Sequence, residues 1–187
     1  CMTIGSPQIR NQGTLAGNLA TASPANDTIT PLLALDAQIT LLSARRGERR
    51  LALQDFYHGV RATALRPDEL IAGVSFEPLD EGERGVFVKL GLRQAVNIAI
   101  VNAAVILAFD GVHVARARIA LGSVAPTVIR THEAESALVG QALDAASIER
   151  AASLAEGAAR PIDDVRASPR YRREMVRLLV QRALEQL

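Results

Sequence analysis

The stretch TLAGNLATASPAND, residues 14–27, gathers small and hydrogen-bonding residues where a ligand could approach the backbone closely. Gly17 allows such an approach and permits positive φ, and successive backbone N–H groups in a loop of this kind donate to phosphates or to a ring edge. Asn18, Asn26 and Asp27 add side-chain donors and acceptors around it. Each also has a plainer use. Gly17 and Asn18 are common turn residues, and Asp27 is a good cap for the apolar run that follows. Lys89 is the second feature, because every other one of the 21 basic residues is arginine. It reads either as a solvated strand lysine or as an ammonium placed for a purpose.

Other chemistries lack their residues. His58, His113 and His132 are scattered without ligand spacing, and no Ser–His–Asp set or carboxylate pair beside a histidine occurs. Cys1 is the single cysteine, which excludes an intrachain disulfide, an all-cysteine iron–sulfur cluster and a cysteine-built zinc site. A net charge of +1 argues against a dedicated binder of nucleic acid or acidic membranes. No apolar run reaches the ~20 residues of a membrane span. The N-terminus lacks the charged-then-apolar plan of a signal peptide, so a cytoplasmic protein is the default expectation.

The elements that must position these residues divide at a charged, glycine-containing stretch. The chain has 187 residues, 49% of them apolar but only 3% aromatic, so its core must be built from Ala, Val, Leu and Ile. CMTIGSPQIR reads as an extended segment already under way, as in a fragment or a processed chain. TPLLALDA (30–37) predicts a short helix with proline in its first turn. QITLLSA (38–44) and RRLAL (49–53) predict a hairpin around Gly47. LQDFYHGVRATAL is irregular, with a helical turn near Asp55, and ELIAGVSFEPL (69–79) alternates as a strand. LDEGERG (79–85) is the linker candidate. Beyond it, 85–94, 98–111 and 113–125 predict three long strands, the last two joined at Asp110-Gly111. Amphipathic helices follow at about 131–139, 144–158 and 168–187, the last with Met175, Leu178, Leu179, Ala183 and Leu187 as its buried stripe. Strands followed by helices, rather than alternating with them, predict an α+β fold.

Taken together, IGSPQIRNQGTLAGNLATASPANDTITPLLALDA resembles the second flavin motif of the FAD-binding medium subunits of molybdenum hydroxylases, the xanthine dehydrogenase and aerobic carbon monoxide dehydrogenase type. Lys89, Gly91 and Arg93 fit the family's K-x-G-x-R segment. PIDDVRASPRYRREMVRLLVQRAL (161–184) fits its P-x-x-D-x-R-x-S-x-x-Y-R-R ending. The three motifs, in order, extend over essentially the whole chain.

The resemblance implies residues 1–82 as the second lobe of a p-cresol methylhydroxylase-type FAD-binding domain. Residues 83–187 would be a CO dehydrogenase flavoprotein C-terminal-like domain, a three-stranded antiparallel sheet with helices. By motif position, Ile4 and Gly5 would contact FAD from the entering strand, and Thr14, Gly17, Asn18 and Ala20 would form a glycine turn. Asn26 and Asp27 would stand near the ribityl chain, Ile71 would line the flavin ring, and Lys89 would lie near the ring from the other side. FAD would be held non-covalently. The molybdenum cofactor would reside on a large partner subunit and the [2Fe–2S] clusters on a small one, in keeping with the single cysteine. The chain would relay electrons from those clusters through FAD to NAD or another acceptor.

Two departures from the pattern set further expectations. Ala16 stands where the family has its first glycine, so the turn must avoid positive φ there or accept strain. Nothing resembles the A-G-G-x-S-like loop with which the family's first lobe wraps the pyrophosphate. Residues 1–187 alone then offer a few neutral hydrogen bonds of about 1 kcal/mol each against an association cost of about 4 kcal/mol or more, which predicts millimolar affinity for FAD at best. Residues 83–187 are expected to fold alone. The rival reading is a flavin-free docking module of the same complex. A third, a different flavin oxidase with the same cofactor fold, is opposed by residues 161–184.

Overall fold

Residues Ala99–Leu107 are buried without a break, so the strand that contains them must be covered on both faces. The computed structural model describes residues 4–93 and 96–187. Cys1 and the end of the strand expected over 85–94 lie outside the described residues. Strand β7 (Ala99–Asp110) is central in an antiparallel sheet whose order is β6-β7-β8-β9, where β6 is Glu83–Gly91, β8 is His113–Gly122 and β9 is Ile129–Arg130. The three long strands are those expected, although β6 starts at Glu83, inside the stretch expected as a linker. β9 is an addition. Two residues carry no periodicity, and this strand exists only by pairing with Ala120 and Leu121. The turn from β7 to β8 uses Asp110-Gly111, with Gly111 at φ +60°, where a side chain would be strained.

The two-residue period of a strand sorts β7 between two cores. Val101, Ala103, Val105 and Leu107 pack under three helices, α5 (His132–Leu138), α6 (Ala145–Ala158) and α7 (Pro169–Leu184). These lie within the spans expected from amphipathic spacing. Asp144 and Ser147 cap α6 reciprocally, and Ser168 caps α7, which has proline in its first turn. The buried stripe of α7 differs in part from the one expected. It runs through Arg172, Val176, Leu179, Val180, Ala183 and Leu184, whereas Met175, Leu178 and Leu187 are only partly buried.

The opposite face of the sheet is covered by the first half of the chain. Helices α1 (Pro7–Gln12), α2 (Leu15–Ala20) and α3 (Ile29–Ala34) precede a hairpin of β1 (Gln38–Ser43) and β2 (Gly47–Ala52). The short helix α4 (Leu53–Phe56), the ribbon of β3 (Tyr57–Gly59) and β4 (Ala62–Thr63), and β5 (Glu69–Ser75) follow. The second sheet has the order β2-β1-β5, all antiparallel. Ile29, Leu32 and Leu33 of α3 share one apolar cluster with Ala104 and Ile106 of β7 and Ala120 of β8. Small residues at 104 and 120 let the helix come close, and burying each large side chain stabilises the seam by roughly 2 kcal/mol. Enlarging Ala104 to leucine would overpack it at a cost of about 1–3 kcal/mol. Ion pairs frame the apolar contact: Arg118 and Arg130 both reach Asp36, just beyond α3. Arg118 also pairs with Glu83 at 2.8 Å.

Strand register lines up residues across this covered face. Lys89 faces Asn102, which faces Gly122; the next row is Phe87, Ala104 and Ala120. A lysine and an asparagine thus stand at the end of an otherwise apolar face, next to the start of α3.

Candidate functional site

The glycine stretch is helical rather than a turn. Thr14 caps α2, its Oγ1 accepting the Gly17 N–H at 2.9 Å, and neither Ala16 nor Gly17 has positive φ. Alanine at 16 therefore costs no strain, since the helix asks for negative φ there. Thr14, Gly17 and Ala20 lie three apart on the exposed side of α2. The entering segment is likewise not a strand over residues 7–12. Gly5, at φ +54°, leads into α1, and the Ile4 carbonyl accepts from Arg10 Nη1 at 2.8 Å.

Two asparagines tie α2 to the loop behind it. Asn26 Nδ2 donates to the Asn18 carbonyl at 2.6 Å and to Thr21 Oγ1 at 2.8 Å. Asn18 Oδ1 accepts from Thr28 Oγ1 at 2.5 Å. These bonds fix the path of residues 21–28 and so the position of Asp27.

Asp27 is not a helix cap. Thr28 occupies the N-cap position of α3 and makes no side-chain cap bond. The Asp27 carboxylate instead turns to the sheet, where Oδ2 lies 2.5 Å from Lys89 Nζ and Oδ1 is 3.4 Å from Asn102 Nδ2. Lys89 also donates to the Asn97 carbonyl at 3.0 Å. The side chains of Lys89 and Asp27 are 9% and 7% exposed. Burial at this level is sustainable because each charge has a partner and a second hydrogen bond.

Above Asp27 opens a cavity of about 410 Å³. Its walls include Ile4, Leu15, Leu32, Leu35, Phe76 and Phe87, and among the described residues that line it Asp27 is the single titratable one. Such a lining suits a largely apolar group with hydrogen-bond donors that a carboxylate can accept. Of the residues expected to serve a cofactor, Ile4 and Asp27 line this cavity, and Lys89 stands behind Asp27. Ile71, in β5 opposite Leu41, packs on the core of the first half and does not line it. Gly5, Thr14, Gly17, Asn18, Ala20 and Asn26 do not line it either. A second cavity, about 450 Å³, is bordered by Asp36, Glu77, Asp80, Glu83, Arg116 and Arg118 and holds none of the expected residues.

Sequence reasoning missed Asn102 and Thr30. Both are fully buried, and Thr30 Oγ1 donates to Asn102 Oδ1 at 2.7 Å. The available signal was one asparagine interrupting the apolar run IAIVNAAVILAF.

The third family motif has a structural use. Arg172, fully buried, donates through Nη1 to the carbonyls of Ile100 (3.1 Å) and Ser123 (3.0 Å) and through Nη2 to Asp164 Oδ1 (2.6 Å). Arg166, which clasps Asp164 first, and Arg172 hold that carboxyl below the usual carboxylate range.

Comparison with known proteins decides the family. Residues 87–187 match the CO dehydrogenase flavoprotein C-terminal domain, and residues 1–78 match the FAD binding domain in molybdopterin dehydrogenase. The chain belongs to the FAD-binding medium subunits of molybdenum hydroxylases. It is 35% identical to the carbon monoxide dehydrogenase medium chain of Afipia carboxidovorans, over 98% of its own length and 63% of that protein's. It is 36% identical to the alpha subunit of the 6-hydroxypseudooxynicotine dehydrogenase complex of Paenarthrobacter nicotinovorans, over 97% of its own length and 61% of the relative's. Carbon monoxide dehydrogenase from Hydrogenophaga pseudoflava superposes with a TM-score of 0.94 at 31% identity, over 98% of this chain and 63% of that one. The chain thus spans less than two thirds of the length of these relatives. Among the described residues, no helix is long and apolar enough to cross a membrane.

Proposed function

We propose that this chain is the electron-transfer flavoprotein part of a molybdenum hydroxylase, holding FAD non-covalently. The observation that carries the reading is a lone buried carboxylate, Asp27, set in the wall of an apolar cavity and fixed by Lys89 from behind. FAD accepts electrons singly and releases a pair, which suits a relay between one-electron clusters and a two-electron acceptor. The residues of the chain bind and orient. Ile4, Leu15, Phe76 and Phe87 exclude water from the cavity, and Asp27 accepts ribityl hydroxyls. Gly5, Thr14, Gly17, Asn18, Ala20 and Asn26 shape the backbone beside it, Ile71 backs the ring side, and Lys89 supplies positive charge near the ring. In this proposal residues 1–82 are the second FAD lobe and residues 83–187 the C-terminal domain.

Electrons arrive from the [2Fe–2S] clusters of a small partner subunit, and a large subunit with the molybdenum cofactor hydroxylates the substrate. The acceptor is NAD or another oxidant, and the complex works in the cytoplasm. The multi-subunit relatives support this reading. Isolation of the protein from cells that make it, followed by acid precipitation, is the test. All flavin should pass to the supernatant. Protein that carries no flavin would favour the docking-module reading, and flavin remaining in the pellet would overturn non-covalent binding.

A further inference from the structure

The row Lys89–Asn102–Gly122 crosses three neighbouring strands, and one helical residue, Thr30, closes over it. We infer that Thr30 and Asn102 are positioning residues of the cofactor site: they orient the Asp27 carboxylate and, through it, the Lys89 ammonium. The inference rests on the proposed flavin role of Asp27.

Three observations carry it. The first is direction. An asparagine amide is ambiguous until one end is fixed; the Asp27 carboxylate only accepts, so Nδ2 faces its Oδ1, and Asn102 Oδ1 is then held in place by the Thr30 hydroxyl, which donates to it at 2.7 Å. With one carboxylate oxygen facing Asn102, the other faces Lys89. The second is isolation. Thr30 and Asn102 are both 0% exposed, so no water competes for these bonds. The third is reserved space. A Cβ on Gly122 would fall on Asn102 Oδ1 and Thr30 Oγ1, so the residue opposite Asn102 must have no side chain. A polar pair in an otherwise apolar seam is costly unless fully satisfied, and leucine or valine would pack this seam without it.

Lys89 gives a readout independent of flavin. As the only lysine of residues 1–187, it yields a single side-chain signal when that chain is made with ε-¹³C,ζ-¹⁵N-lysine. The wild type should show a slowly exchanging Lys89 ammonium. Thr30→Val, of nearly the same shape, should speed that exchange by roughly two- to tenfold, the scale of one neutral hydrogen bond. Asn102→Ala and Gly122→Ala should act in the same direction. Thr30→Ser, which restores the hydroxyl, should restore slow exchange. Ile106→Val, on the same strand face but outside the network, should lower the melting temperature and leave the exchange alone. FAD loss on dilution of the protein isolated from cells should follow the same order. Unchanged Lys89 exchange in Thr30→Val, or equal acceleration in Ile106→Val, overturns the inference. If the wild type carries no flavin, the proposed function fails, and with it the cofactor role assigned to Thr30 and Asn102. If the wild type carries FAD and Thr30→Val releases it no faster, the inference alone fails.

Discussion

Lys89 Nζ and Asp27 Oδ2 lie 2.5 Å apart although 62 positions separate them in the chain, and the contact crosses the seam between the helices of the first half and the four-stranded sheet. Removing one partner leaves the other charge buried. Lys89→Met or Asp27→Asn alone should cost about 3–5 kcal/mol, and the double substitution should cost much less than the sum. Chemical denaturation of the four proteins gives the coupling. Additive losses would mean that the two charges do not depend on each other.

The seam also bears on whether residues 83–187 can stand alone. Phe87, Ala104, Ile106 and Ala120 are covered by α3, so cutting the chain at the expected boundary uncovers an apolar face with Lys89 and Asn102 at its end. We predict that the 83–187 fragment aggregates or melts well below the whole chain, contrary to what its complete set of strands and helices suggests. Light scattering and thermal unfolding of the fragment beside the whole chain decide the matter. A monomeric fragment with an unchanged melting temperature would show that α3 adds nothing.

Acid should act through two clasped carboxylates. Arg49 grips Glu69 with Nε and Nη2 at 2.7 and 2.8 Å, and this holds the Glu69 carboxyl down to about 2 from an ordinary 4.5. A lowered folded-state value means stability that is complete above 4.5 and lost as pH falls toward about 2. The stability gap between wild type and Glu69→Gln should therefore shrink over that window and be flat above it. Asp164, held down first by Arg166, loses its contribution below its ordinary 3.8.

Arg172→Met should be among the most damaging single changes in the C-terminal half. It strips partners from the carbonyls of Ile100 and Ser123 and from Asp164, at about 3–5 kcal/mol. Thermal unfolding checks this, with the exposed Arg173→Met as the comparison, expected within about 0.5 kcal/mol of wild type.

Legibility in the sequence followed the strength of local signals. The β1–β2 hairpin was readable because Gly47, at φ +73°, separates two apolar-rich runs, and α6 and α7 were readable from periodicity and caps. Helices α1 and α2 were not, because each has six residues, less than two helical turns of pattern. Asp27 and Lys89 were legible as unusual residues, but not as partners, since only the register of β6 on β7 and the path of residues 21–28 bring them together. Asn102 was hidden because a residue buried between two layers leaves no periodic trace in a strand that is apolar on both faces, and Thr30 because α3, six residues long, is buried at all but one position.

In the proposed function, Asp27, fixed by Lys89, holds the flavin. The most direct measurement is the FAD dissociation constant of protein isolated from cells, for wild type and Asp27→Asn, each checked by circular dichroism to be folded. Bound FAD is expected in the wild type, with roughly tenfold or greater weakening in Asp27→Asn, the scale of lost hydrogen bonds to a charged acceptor. A folded Asp27→Asn protein that binds FAD as the wild type does would contradict it.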